Sequence, residues 1–162
     1  MIERRLPIGL FLAVLMIGAA LPSRPAHATD FWQAKTSGGF VTLRYGPPDE
    51  REKPVFLLSC LNGVGIAVLS VYTDFPENQP GDAITIDFSA GGRTAPVAGE
   101  TAAEDGTGII YAEAGDIAVT PILKILKEKG TVTMTSGANT VDLSANGRAE
   151  AAAEFSKDCT LD

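Results

Sequence analysis

The stretch Val55-Phe56-Leu57-Leu58-Ser59-Cys60-Leu61 is the most continuously apolar run outside the N-terminus, and it carries Cys60, one of only two cysteines. It is followed by Asn62-Gly63-Val64-Gly65 and then by a second apolar run over residues 66–72. Asn-Gly supplies the positive φ values of a tight turn, and β-branched residues flank it, so the pair reads as a β-hairpin. Both arms are apolar on both faces near the turn, which places the hairpin in the middle of a sheet. The second cysteine, Cys159, falls within Arg148–Cys159, which reads as a short helix with Ala152, Phe155 and Cys159 on one face. A bond from Cys60 to Cys159 would clamp a central strand to that helix.

The N-terminus sets the compartment in which such a bond forms. Arg4 and Arg5 precede an apolar stretch over residues 8–21, and Ala26-His27-Ala28 gives a small-x-small cleavage pattern. This predicts a signal peptide over residues 1–28, of the general secretory type, with Thr29 as the mature start. The apolar stretch falls short of the roughly 20 residues that span a bilayer. The expected location is therefore periplasmic or secreted, where two cysteines default to a disulfide. Closing a loop of about 100 residues is worth up to about 4–5 kcal/mol in chain-entropy reasoning. Residues 29–162 form one expected β-rich domain.

Removing residues 1–28 takes away the single histidine, His27. It also takes Arg4, Arg5, Arg24 and Glu3, so 13 basic and 20 acidic residues become 10 and 19, a net charge of −9. A nucleic-acid binder needs a basic face, which this balance excludes. Docking on anionic lipid is opposed in the same way. A basic envelope protein is a partner that the charge permits, and so is the reading, given more weight, that the acidity only keeps an exported domain soluble.

Along the rest of the chain, short apolar runs alternate with glycine and proline. Residues 31–37 and 40–45 flank Gly38-Gly39 as a hairpin, and 46–54 is a charged, proline-bounded loop. Residues 83–88 alternate, with Ile84, Ile86 and Phe88 on one face. Residues 93–97 read as a weak edge strand, 99–107 as a solvated acidic segment, and 108–112 as a short strand. Thr120 as N-cap, Pro121 at the first helical position and Gly130 past the last turn predict a helix over 120–129. Residues 131–135 and 140–145 form a threonine-rich hairpin. The sum is a mainly β fold, a β-sandwich or partly open antiparallel barrel of seven to nine strands, with two short helices.

Leu58-Ser59-Cys60 in an early apolar strand, the threonine-rich strand pair, Leu143, Gly147, Ala151-Ala152, Phe155 and Cys159 together resemble a pattern in exported bacterial β-domains, some of them likened to the invasion-associated locus B proteins. The strand at 58–61 with its Asn-Gly turn also resembles periplasmic lysozyme inhibitors, small acidic barrels that block a basic enzyme. Neither resemblance carries functional residues onto positions of this sequence.

Catalytic machinery is sparse. Without a histidine in residues 29–162 neither Ser-His-Asp nor Cys-His can be assembled, and no Gly-x-Ser-x-Gly elbow is present. Lys35-Thr36-Ser37-Gly38 is a four-residue echo of Lys-Thr-Gly and reads as a strand end before a turn. Asp49/Glu50/Glu52 and Glu100/Glu104/Asp105 are the clustered carboxylates, and neither follows a calcium-loop spacing. Gly63-Val64-Gly65 has no lysine or helix after it to hold a phosphate. No catalytic, metal or cofactor residue is expected. Phe31 and Trp32 are the candidate partner contacts, since alternation sends one to the core and the other to the surface. The leading expectation is a non-enzymatic exported binding or accessory protein with an acidic surface. The alternatives are a structural envelope or stress protein, and a small hydrolase built from carboxylates and lysines.

Overall fold

The computed structural model describes residues 30–62, 64 and 66–159. The expected signal peptide, Thr29 and the glycines at 63 and 65 lie outside the described residues.

Nine strands form one antiparallel sheet: β1 (Phe31–Ser37), β2 (Phe40–Gly46), β3 (Phe56–Leu61), β4 (Ile66–Val71), β5 (Ala83–Ala90), β6 (Arg93–Ala103), β7 (Ile110–Ala118), β8 (Val132–Ser136) and β9 (Asn139–Leu143). Their spatial order is β1-β2-β3-β4-β7-β6-β5-β8-β9. The sheet curls into a half-barrel, the partly open barrel among the expected folds. The β3–β4 hairpin is internal to it, paired Phe56↔Val71 through Cys60↔Ala67. Two helices complete the fold, α1 (Val119–Leu126) between β7 and β8, and α2 (Arg148–Cys159) at the end.

The period of two decides which side of the sheet is the core. Val41, Leu43 and Tyr45 of β2, Phe56, Leu58 and Cys60 of β3, and Ile84, Ile86 and Phe88 of β5 all point into the curl and are buried. Trp32, Tyr45, Phe56 and Phe88 make a run of ring contacts there, 4.7–5.7 Å between successive centroids from Tyr45 through Trp32 and Phe56 to Phe88. Offset and edge-on aromatic pairs of this kind add about 0.5–1.5 kcal/mol beyond the area they bury.

The open side of the curl is held at three points. Trp32 Nε1 donates to the Ser144 carbonyl at 2.8 Å, and the Ser144 amide donates to Tyr45 Oη at 3.2 Å, tying the exit of β9 to β1 and β2. Helix α2 packs on β1, β2 and α1 through Ala151, Ala152, Phe155 and Cys159, all buried. Thr36 Oγ1 donates to Asp158 at 2.6 Å. Finally, Cys60 and Cys159 are bonded, with Cα atoms 5.6 Å apart.

Three expectations about elements need correction, the first being the short strand over 108–112, which instead runs nine residues over Ile110–Ala118. Residues 93–103 are a single eleven-residue strand lying between β5 and β7, not a weak edge strand followed by a solvated segment. Its inward residues Ala95, Val97 and Thr101 are small, which hides the alternation. Helix α1 starts at Val119 rather than after a Thr120 cap. Ala118, the last residue of β7, is the N-cap and makes no side-chain cap bond. The start is set by the chain leaving the sheet, and Pro121 is tolerated because first-turn amides have no helical partner. The helix also ends at Leu126, and the carbonyls of Leu126, Glu128 and Gly130 each accept from the Arg148 guanidinium.

Candidate functional site

The residues singled out from the sequence land in different places. Cys60 and Cys159 are paired and buried, so neither thiol is available for chemistry. Trp32 is 7% exposed and its indole N–H is used on Ser144, which makes it part of the core and of the barrel seam. Phe31, its neighbour on β1, is half-buried on the opposite side of the strand.

The clustered carboxylates are absorbed by local cations. Asp49 accepts from the Arg51 guanidinium and backbone amide, and these bonds pull its carboxyl below the usual range. Glu50 is lowered first by the Gln33 amide and then by Lys35. Glu104 pairs with Lys53 and accepts from Thr107 Oγ1, and is lowered in the same sense, with Lys53 the larger cause. These loops therefore hold fixed anions that are already neutralised. No group of three His, Cys, Asp or Glu able to hold a metal occurs among the described residues.

An open cleft of about 500 Å³ lies beside Tyr72, with Lys53, Asp74, Phe75, Gln79 and Ile109 in its walls. A second, of about 370 Å³, adjoins it, and Lys53 and Tyr72 form the ridge between the two. That ridge is a stack. Lys53 Nζ sits 5.1 Å from the Tyr72 ring centre, and Tyr72 lies against Tyr111 at 5.3 Å with 20° between planes. Burial, followed by the nearby Glu113 charge, pushes the Tyr111 hydroxyl above its ordinary range. With Asp74 as its one carboxylate, the larger cleft lacks the acid–base pair that carboxylate hydrolysis needs. Tyr72 is in contact with both Lys53 and Tyr111, so the ridge ties the 47–54 loop to the sheet. Tyr72 and Tyr111 could be found from sequence only by pairing Val71 with Ala112, a register set by the bulge in β7.

A loop and an arginine define the outer side of the sheet. Arg44, on the outward face of β2, donates to the carbonyls of Pro47, Asp49 and Glu52 and folds the 47–54 loop over that face. Underneath, Arg44, Leu57 and Ser70 share a row in register and are buried or half-buried. Comparison with known protein families, with curated proteins and with solved structures returned no match. No helix among the described residues is long and apolar enough to cross a membrane.

Proposed function

We propose that the chain is an exported, non-enzymatic binding protein that uses surface carboxylates to engage a basic envelope protein. The observation that carries this reading is the charge balance of residues 29–162, 19 acidic against 10 basic side chains, and the ionisation pattern agrees with it. Every carboxylate with a shifted ionisation, Asp49, Glu50 and Glu104, is shifted down. A general acid or base needs a carboxyl moved the other way, toward neutral pH. Those three are paired with local cations, so the attraction falls to carboxylates outside these ion pairs, in a domain with nine more acidic than basic side chains over residues 29–162, 19 against 10.

The disulfide supports export, because such bonds persist in oxidising compartments. On this reading the secreted product begins at Thr29, and the mass of protein recovered from a periplasmic fraction checks that. Binding is checked by passing basic envelope proteins over the immobilised domain. They are expected to be retained at 20 mM salt and released by 0.5 M, since the screening length falls from roughly 20 Å to about 4 Å over that range. Retention that ignores salt, or none at low salt, rejects the reading.

A further inference from the structure

The outer face of β2, β3 and β4 is covered at one end and bare at the other. The covered end is the Arg44–Leu57–Ser70 row beneath the 47–54 loop. Two rows further along, Phe40 pairs with Leu61 across β2 and β3, beside Ile66 on β4, and the row between holds Val68 next to the half-buried Ser59 and Thr42. These side chains are 51%, 44%, 49% and 38% exposed, and Val64 at the turn is 39% exposed. Outward positions of a half-solvated sheet are ordinarily polar. A single exposed apolar residue needs no account, but a contiguous group on one face marks a contact surface.

Beside this strip, on its β7 side, runs a margin of carboxylates. Val68 faces a bulge in β7, since Ala67 pairs with Ile117 and Leu69 with Ala114, leaving Gly115 and Asp116 opposite it. Asp116 is exposed. Glu113 pairs with Ser70 one row on, and Glu100 stands directly across from Glu113. None of the three is in an ion pair among the described residues. Two like charges facing each other across adjacent strands are destabilising, so this margin is not there to hold the sheet together. Lys35, the cation nearest the strip in register, is already bound to Glu50.

We infer that the strip of Phe40, Leu61, Ile66 and Val68, with its Asp116–Glu113–Glu100 margin, docks a protein segment bearing a row of apolar side chains beside a row of Lys or Arg. This rests on the binding reading above and locates its surface. Charge selects the occupant: a second copy would bring one acidic margin and one net-negative domain against another. An anionic membrane is repelled for the same reason.

The probe is a synthetic twelve-residue peptide of alternating leucine and lysine, titrated calorimetrically into the domain of residues 29–162. Ile66→Thr with Val68→Thr keeps β-branched residues at exposed positions and removes the apolar contact. It is expected to weaken binding about tenfold or more, as loss of a central apolar contact does. Glu100→Gln with Asp116→Asn is expected to weaken it several-fold at low salt and little at 0.5 M. Asp87→Asn with Asp142→Asn, on the outer faces of β5 and β9, is the control and should leave affinity unchanged. The assignment is overturned if the strip variants bind like the parent while the control pair abolishes binding, a result that keeps the binding reading and moves its surface. It is also overturned if the strip variants instead abolish self-association in sedimentation, or abolish binding to neutral phosphatidylcholine vesicles. Failure of the parent domain to bind the peptide at any salt overturns the assignment, while retention of basic envelope proteins separately decides the reading on which it rests.

Discussion

Arg148 is 3% exposed and has no carboxylate partner among the described residues, where carbonyl oxygens hold its guanidinium. Its Nε donates to Leu126, one terminal nitrogen to Leu143, and the other to both Glu128 and Gly130, at 2.8–2.9 Å. Three of those acceptors lie at or just past the end of α1, where the helix dipole favours a positive charge. Burial still disfavours the charged form and lowers the guanidinium's proton affinity, which is the cost that the four bonds offset. Arg148→Met keeps the volume but strands these carbonyls. It is expected to lower unfolding free energy by about 3–5 kcal/mol in urea titration, and a loss below about 1 kcal/mol would show the cage to be incidental. Arg148→Lys should recover little, because one ammonium cannot span acceptors arranged around a planar fork. Nothing in the sequence announced this residue, because its partners are backbone atoms 5 to 22 positions away and carry no side-chain signature. Ala152, Phe155 and Cys159 were legible because a buried helix face repeats at three and four, and a carbonyl cage has no period.

Among the elements, the same contrast separates α2 and the β3–β4 hairpin from β6. The hairpin declared itself through large apolar residues and Asn-Gly, and its central place followed from apolar character on both faces. β6 is built mostly from Ala, Thr, Gly and Pro, and its inward Ala95, Val97 and Thr101 leave little hydrophobic contrast to read. One residue of β6 is small for a reason found only in three dimensions. A Cβ placed on Gly99 would stand 2.4 Å from the Glu113 carbonyl oxygen and 3.1 Å from the Ala114 Cβ. The obstacle is backbone of a neighbouring strand, which cannot rotate aside. Gly99→Ala is therefore expected to destabilise by about 1–3 kcal/mol, the usual cost of overpacking, and to loosen the β6–β7 pairing first. Amide exchange resolves this: protection should fall at Thr101–Ala103 and Ile110–Ala112 before it falls in β3. The bulge beyond Ala114 belongs to the same device. Asp116 sits there at φ 52°, a conformation that short polar side chains tolerate, and the extra residue turns β7 off β6 and into α1.

At the scale of the molecule, the fold closes on itself through its last element, and the disulfide is one of several fastenings that do so. The bond joins residues 99 positions apart, yet α2 is also seated by Phe155 and Ala152 in the core, by Arg148 on α1 and by Asp158 on Thr36. Two consequences of losing the bond can be told apart. If it acts on the unfolded chain, Cys60→Ala with Cys159→Ala lowers stability by about 2–5 kcal/mol and raises the urea m-value, because the freed denatured chain exposes more surface. Native α2 then stays docked. If the bond instead holds the helix in place, amides over 151–159 lose protection at denaturant concentrations where the sheet is intact. The other contacts favour the first outcome, since the helix keeps its buried face and its arginine anchor with both sulfurs gone. A double variant with lower midpoint, steeper m-value and unchanged exchange in α2 establishes that the bond restrains the unfolded state. Early exchange of α2 alone would show that the barrel depends on Cys159 to keep its open side shut.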